Sequence, residues 1–485
     1  MIDTLRLQNM FAGRSFRTWL VVALVLLGAV VLGSHPAMRW LVLLCAGLMA
    51  VVLLRHPILG LVATIATALV LPSEFGTGRE VSLNLSALLV PGMFALWFLI
   101  MVRRRNIHLP RSRTTTPLLL FILASLLSLV VGTAYWDPAV PRPGNILLVQ
   151  LGQWGIFAFS ALAFWLMGNL VRNEIWLRRL TFFYLSVAGL LAIIRVMPGT
   201  ERIRELIATF ALDRAPFWLL LAALAGGQLL FNQTLSTRWR WFLLAALGAV
   251  IAYAFIVERK TLSNLAGVAP VLGVLAWLRW PRWRWIYVLL ALLAVTAFFP
   301  TVFDFAGGEA EWDESGGSRL VLIERVVEVT MRNPITGLGP AAYRSYARMK
   351  PLPYGAALWF DPQVNSHNNY VDLFAHLGLL GIVLFFWFAA EVFGLGFRLR
   401  THYIQGFAAG YVNAMLALWA GALVLMLFAD WILPHVYNIG FPGFQASVLV
   451  WLFLGGLVSL EQMERIQNGQ TLAAPLNPPA PESLR

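Results

Sequence analysis

The sequence has little charge, one cysteine and no internal repeat. Charged residues make up 12% of the 485 residues and hydrophobic residues 59%, whereas an ordinary soluble domain is about 25% charged. This composition excludes a soluble globular protein and indicates a polytopic membrane protein. The single cysteine, Cys45, excludes an internal disulfide bond. The lack of a repeat disfavours the inverted-repeat architecture of many transporters.

Acidic residues are also scarce, with 23 Asp and Glu against 36 Lys and Arg, which gives a net charge of +13. In a soluble protein this balance would favour a nucleic-acid partner. Here the arginines lie between apolar runs, so their expected roles are topology signals and contacts with lipid headgroups. We therefore expect membrane lipids, and no nucleic acid, among the partners.

Fourteen apolar runs are candidate membrane spans, the first at 19–32 and the last at 443–460. They predict an all-α integral membrane protein with about 14 transmembrane helices and one large, partly helical loop on the outer side. The expected organisation is helices 1–11 in residues 1–300, the large loop in 301–369, helices 12–14 in 370–461, and a disordered cytoplasmic tail in 462–485.

Most arginines outside the spans fall in alternate connections, which places both termini in the cytoplasm by the positive-inside rule. Three connections predicted to face outward also carry cations, namely 198–215, 257–261 and 301–369. The short turn 257–261 holds Arg259 and Lys260, which add nothing as topology signals there. Outward cations beside a membrane indicate an anionic ligand.

The loop 301–369 contains a predicted amphipathic helix over 318–332. Leu320, Ile323, Val327 and Met331 fall at helical spacing, so this face is expected to pack on the bundle or lie in the interface. A turn follows at 333–339.

The same loop ends in the polar segment 365–370, which reads NSHNNY and runs into an apolar span. Asn365 and Ser366 are good N-cap residues, so His367 is expected in or beside the first helical turn. The positive end of a helix disfavours imidazolium, so a neutral His367 could accept a proton.

Taken together, Ser318-Arg319, the segment RNPITGLG at 332–339, the segment HNNY at 367–370 and the segment GLLG at 378–381 resemble the signature region of the O-antigen ligase and O-antigen polymerase superfamily. That family has an outer-loop arginine, an N-P-x-x-G-x-G turn, and an H-N-x-Y segment entering a helix with G-L-x-G. The close match covers about 65 residues in one loop and the helix that follows. Weaker parallels lie at 258–263 and 213–216, and the chain departs from the family pattern at 213–216 and at His376.

The resemblance implies a metal-independent glycosyltransferase that moves a glycan from undecaprenyl diphosphate to a sugar hydroxyl, on the periplasmic face of the bacterial inner membrane, with no cofactor. It implies that His367 is the general base. The cations assigned to the diphosphate are Arg259 and Arg319, with Arg214, Lys260 and Arg344 as helpers. The residues expected to shape the site or lie beside the substrate are Asn368, Tyr370, Gly337 and Gly339.

Three alternatives stay open. The acceptor is either a second lipid-linked repeat unit, which makes a polymerase and is our preferred interpretation, or lipid A core, which makes a ligase; a chain-length regulator is a further candidate partner. A protein O-oligosaccharyltransferase belongs to the same group. A transporter of the lipid-linked glycan would predict ionisable residues near mid-membrane.

A metal site with Asp372, His376 and His367 is disfavoured because no other ligands have suitable spacing.

Overall fold

The structure is a computed structural model that describes residues 47, 51–53, 56–71, 74–76, 82–103, 105, 109–206, 210–257, 262–296, 317–349, 352–354, 357–359 and 365–468. The chain divides into two compact units, 1–59 and 60–485. Everything below concerns the second unit. The disordered tail predicted over 462–485 begins too early, because its first residues belong to a helix that ends at Gln467. The tail after residue 468 lies outside the described part of the chain.

The described residues are predominantly helical. The helices, numbered within this part of the chain, are α1 (Pro57–Val70), α2 (Leu85–Arg103), α3 (Thr115–Ala134), α4 (Ile146–Leu170), α5 (Glu174–Val196), α6 (Glu201–Leu206), α7 (Ala215–Phe231), α8 (Thr237–Ala252), α9 (Leu262–Arg279), α10 (Arg284–Thr296), α11 (Gly317–Thr330), α12 (Tyr343–Ala347), α13 (Asn369–His402), α14 (Gly406–Leu425) and α15 (Gly440–Gln467). Two antiparallel hairpins pair β1 (Glu74–Gly76) with β2 (Ser82–Asn84) and β3 (Leu352–Tyr354) with β4 (Ala357–Trp359).

Eight helices in the described residues are long and apolar enough to cross a membrane: α2, α3, α4, α5, α8 with its π-helical extension to Val257, α13, α14 and α15. The protein is therefore a multi-pass helical membrane protein, as predicted. Shorter apolar helices coincide with further predicted spans, including α1, α7 and most of α9. The first two predicted spans lie largely outside the described residues, so the total of 14 stays a prediction.

Helix α15 forms the centre of the bundle, and its most apolar stretch is completely buried. It packs most extensively against α4, while α14 packs against α7. The contact with α4 is close because Gly455 has no side chain: a Cβ atom there would overlap the carbonyl group of Phe164. Small residues at such crossings let two helix backbones approach each other, which is how membrane helices gain packing energy.

The two ends of the bundle differ in charge. Arginines gather in the connections 103–115, 171–174, 232–240, 279–284 and 398–402. Hydrogen bonds place these connections at one end of the bundle. Gln462 donates to the carbonyl of Arg111 at 3.1 Å, and Arg400 donates to the carbonyl of Leu278 at 2.8 Å. The opposite end is formed by 134–146, 197–206, 210–214 and 426–439 together with the start of α13. The polar segment 365–368 lies at this second end.

The predicted loop helix is present as α11, but its packing face differs from the prediction. The buried apolar residues are Leu322, Val326 and Val329, whereas Leu320 and Met331 are exposed. Apolar residues occupy two neighbouring stripes of this helix, so periodicity alone could not choose between them. The buried stripe packs on a cluster that contains Tyr343 and Tyr346 of α12.

Candidate functional site

The segment around His367 enters α13 in a different way from the predicted one. The N-cap is Asn368, whose side-chain oxygen accepts from the backbone N–H of Tyr370 at 2.9 Å and of Val371 at 3.2 Å. The helix begins at Asn369, two to three residues later than a cap at Ser366 or Asn365 would give. His367 therefore lies just before the helix, with a left-handed backbone conformation (φ 49°) and a half-buried side chain.

The start of α13 holds the connection 426–439 in place. The side chain of Asn369 accepts from the N–H groups of Ile432 and Leu433, both at 3.2 Å, and donates to the carbonyl of Leu433 at 2.8 Å. Asn368 donates to the carbonyl of Leu427 at 2.9 Å. These bonds satisfy irregular backbone at the end of the bundle and bring this connection, which we call the 430 loop (426–439), beside His367.

A network of buried hydrogen bonds lies beside His367. Asp372 Oδ1 accepts from Ser366 Oγ at 2.7 Å and from the Tyr343 hydroxyl at 2.9 Å. His435 Nδ1 lies 3.2 Å from the same hydroxyl and 2.9 Å from Asn365 Oδ1. Since the amide oxygen of Asn365 only accepts, His435 Nδ1 carries the proton. The network ties α12, α13 and the 430 loop into one unit.

Burial sets the protonation of this network. It raises the pKa of the Tyr343 hydroxyl well above 10.0, and the neighbouring carboxyl of Asp372 raises it further, so the hydroxyl stays a donor. Burial also lowers the pKa of His435 well below its ordinary value, and the nearby His376 and Arg344 act in the same direction. His435 is therefore neutral near pH 7.

His367 is oriented by a short series of polar groups. Its Nδ1 lies 3.3 Å from Asn438 Nδ2, which donates to Asp430 Oδ1 at 2.9 Å. The carboxylate of Asp430 fixes the orientation of the Asn438 amide, because a carboxylate would repel the amide oxygen. Asn438 thus presents an N–H to His367, so neutral His367 carries its own proton on Nε2 and accepts at Nδ1. Asp430 also accepts from the backbone N–H of His435 at 3.2 Å.

Two of the predicted cations reach the 430 loop. The guanidinium of Arg344, a 9% exposed residue, lies 4.2 Å from the ring centroid of Tyr437. The guanidinium of Arg214, which precedes α7, lies 4.8 Å from the ring centroid of Trp431. Both are stacking geometries that hold a guanidinium against an aromatic face. The structure thus brings Arg344, Arg214 and His367 to the same loop.

The side chains of the other three predicted cations lie outside the described part of the chain. Arg259 and Lys260 lie outside the described residues, and Arg319 lies in α11 with its side chain outside the described part. Their assignment to the diphosphate stays a prediction. Within the described residues, no group of three or more His, Cys, Asp or Glu side chains is arranged to hold a metal ion.

The N-P-x-x-G-x-G turn packs on a break in α13 at Gly378, where the backbone is not helical (φ 64°, ψ −162°). Leu338 N–H donates to the carbonyl of Ala375 at 2.9 Å, and the N–H groups of Leu379 and Leu380 donate to Pro334 and Ile335 carbonyls at 2.8 and 3.1 Å. The turn therefore replaces helical bonds that the break removes, as broken membrane helices require.

Gly337 and His376 complete this contact. Gly337 has φ 75°, and a Cβ there would lie 2.5 Å from the backbone of His376. His376 Nδ1 accepts from the N–H of Ala341 at 3.1 Å, which ties the residues after Gly339 to α13. Gly339 also has a positive φ, 102°. Gly337 and Gly339 therefore shape the turn that supports the site. The sequence departs from the family pattern at His376, and in this protein the His376 side chain has a structural role.

The sequence did not predict several members of the network, namely Asn365 as a partner of His435, Tyr343, Asp430, Asn438 and His435 itself. The signal was weak: the 430 loop reads ADWILPHVYNI over 429–439, a short polar stretch between two apolar spans. Nothing in that stretch indicates that it folds over a histidine more than 60 residues earlier.

Residues 247–386 match the family model described as O-Antigen ligase. This confirms the predicted resemblance to the O-antigen ligase and polymerase superfamily. No curated protein matches the chain. The O-antigen ligase match includes His367, Arg344 and the turn with Gly337 and Gly339. It ends within α13, so the 430 loop and Arg214 lie outside it and join the site through the fold alone.

Proposed function

We propose that the protein is an integral-membrane glycosyltransferase that takes its glycan from undecaprenyl diphosphate and works on the periplasmic face. The observation that carries the proposal is the grouping of His367, Arg344 and Arg214 around the 430 loop, in a chain whose residues 247–386 match O-antigen ligases. A proton acceptor beside guanidinium groups suits a reaction that deprotonates a hydroxyl and releases a phosphate anion.

The location of the site supports the periplasmic side. Arginines fill the connections at the opposite end of the bundle, and arginine-rich connections stay in the cytoplasm. The end with His367 then faces outward.

In the proposed reaction a sugar hydroxyl of the acceptor attacks the anomeric carbon of the donor. The bond between that carbon and the diphosphate oxygen breaks, and the proton of the hydroxyl moves to His367. The hydroxyl reaches Nδ1 by displacing Asn438, whose 3.3 Å contact is the longest in the series. Arg344 and Arg214 stabilise the negative charge on the departing diphosphate. Direct attack inverts the anomeric configuration, and no metal takes part.

We favour a polymerase, whose acceptor is a second lipid-linked repeat unit, because fourteen predicted spans exceed the number expected of ligases. A ligase that transfers the glycan to lipid A core is the second candidate, since the matching family is described as O-Antigen ligase. The two differ only in the acceptor.

The deciding assay uses purified protein with lipid-linked oligosaccharide, with and without EDTA, and compares the wild type with His367→Ala. His402→Ala is the matched control, because His402 is exposed at the other end of α13. A ladder of longer lipid-linked products that is insensitive to EDTA and missing only in His367→Ala supports the polymerase.

Other outcomes change the proposal in defined ways. Product that forms only with added lipid A core identifies a ligase. Wild-type transfer by His367→Ala would refute the general-base assignment. No product with either acceptor, combined with movement of the lipid-linked glycan across proteoliposomes, would replace the enzyme with a transporter.

A further inference from the structure

A cavity of about 600 Å³ opens beside the network at the same end of the bundle. It lies between the end of α3 and the turn that follows α11, and its lining includes Tyr135, Asp137, Arg332, Asn333, Leu338 and Tyr346. Its volume falls within the roughly 300–1,000 Å³ range of small-molecule sites. The proposed reaction uses none of its polar side chains.

Aromatic rings form part of the cavity wall. Tyr346 is buried, and its ring centroid lies 5.2 Å from that of Trp136. Tyr135, directly after the last residue of α3, is 81% exposed. An exposed ring in the lining of a cavity offers a flat face on which the C–H face of a sugar can stack.

The polar lining is suited to hydroxyl groups. Arg332 forms an ion pair with Asp137, and its guanidinium lies 5.6 Å from the ring centroid of Tyr346. Both charged side chains keep part of their surface exposed, 48% for Arg332 and 34% for Asp137. A guanidinium has five N–H donors and a carboxylate about four acceptor positions, so the pair retains capacity for a ligand with adjacent hydroxyls.

The charge balance distinguishes a sugar from a phosphate. The guanidinium of Arg332 is matched by the carboxylate of Asp137, whereas a diphosphate site needs cations that are not already neutralised. The mixture of rings with paired charges is equally unsuited to a lipid chain, which requires an apolar lining.

The backbone couples the cavity to the network. Leu338, which lines the cavity, donates its N–H to Ala375 of α13. Tyr346 lies one turn after Tyr343 on α12, and Tyr343 donates to Asp372. A ligand in the cavity would therefore lie beside the residues that support His367.

We propose that this cavity binds a neutral sugar unit of the glycan that the protein transfers or extends, with Tyr135 as the stacking surface and Arg332 and Asp137 as hydroxyl partners. The inference rests on the proposed function for the identity of the glycan. It adds a sugar subsite to the catalytic group and the cations.

Binding tests the subsite independently of catalysis. The probe is the oligosaccharide released by mild acid from the lipid-linked glycan of the producing cell, and saturation-transfer NMR follows its binding to the purified protein. We expect the wild type and His367→Ala to bind it equally. Tyr135→Ala and Arg332→Met should weaken binding by roughly threefold to tenfold, the range for one lost aromatic or hydrogen-bonding contact.

Matched variants separate the contact from a change in folding. Tyr135→Phe keeps the ring and should retain binding, and Trp241→Ala removes a ring of similar exposure (69%) from the other end of the bundle and should change nothing. Wild-type binding by Tyr135→Ala, or no binding by the wild type while transfer proceeds, would overturn the subsite. Binding that depends on Tyr135 in a protein without transfer activity would support the subsite and refute the proposed function.

Discussion

Replacing Gly378 by alanine tests whether the break in α13 builds the site. The backbone at this position lies in a region that is essentially restricted to glycine (φ 64°, ψ −162°), and forcing another residue there costs about 1–3 kcal/mol. The new Cβ would also overlap the carbonyl of Ile335, which belongs to the N-P-x-x-G-x-G turn. Since that atom is backbone, a rotamer change cannot relieve the overlap.

The turn must then move away from α13, and three backbone hydrogen bonds break. They are donated by Leu338, Leu379 and Leu380 at 2.8–3.1 Å, and each contributes about 1 kcal/mol. Strain and lost bonds together lower the free energy of unfolding by roughly 4 to 6 kcal/mol. The displaced turn also pulls on α12, so we expect transfer activity to be lost.

Gly394→Ala is the matched control, because it adds the same methyl group to the same helix and no atom lies within 4 Å of the new Cβ. Alanine in a helix interior is about 0.5–1 kcal/mol better than glycine, so this variant should be as stable as the wild type or slightly more stable. The assay is the midpoint of thermal unfolding in detergent, followed by transfer activity. Equal midpoints for the two variants would refute the reasoning.

Three further predictions concern the network and the 430 loop. Tyr343→Phe removes the hydroxyl that donates to Asp372 and should lower the free energy of unfolding by about 1–3 kcal/mol; an unchanged thermal midpoint would contradict this. Asn438→Ala removes the group that orients His367 until the acceptor hydroxyl displaces it, so kcat/KM for the acceptor should fall roughly fivefold to tenfold. An unchanged kcat/KM would argue against positioning. Burial lowers the pKa of His435, so this histidine binds fewer protons in the folded than in the unfolded chain below about pH 6.5. The free energy of unfolding should therefore be constant above about pH 6.5 and fall by up to about 1.4 kcal/mol per pH unit below it. In thermal midpoints measured from neutral pH to about pH 5, His435→Gln should reduce this dependence on pH.

The two histidines illustrate how far sequence reasoning reached. His367 could be selected because it stands in a polar segment at the start of an apolar span, with the family motif around it. His435 stands in a short stretch between two spans and has no motif. Its part in the site depends on α14 and α15 returning the chain to α13, where Asn369 fixes the 430 loop. A contact between residues 63 or more positions apart leaves no periodic signal in the sequence.

The helix α11 shows a second limit. Its position was predicted to within two residues, because its ends coincide with glycine and with the Asn-Pro turn. The stripe that packs on the protein contains Leu322 and not Leu320, and this choice depends on where Tyr343 and Tyr346 lie. Local spacing determines that a helix is amphipathic, whereas the elements that pack against the helix determine which apolar stripe is buried.

The sequence by itself determined the membrane class, the positions of the apolar helices, the charged end of the bundle and the motif with His367. These follow from composition and local order, because burying apolar side chains and satisfying backbone groups within a membrane leave few alternatives. Only the tertiary structure decided that Gly378 breaks α13, that the turn at 334–338 closes this break, and that Asp430 and Asn438 orient His367. These contacts form between segments that are distant in the sequence. Their partners are selected by hydrogen-bond geometry in the folded chain, and no local sequence pattern indicates them.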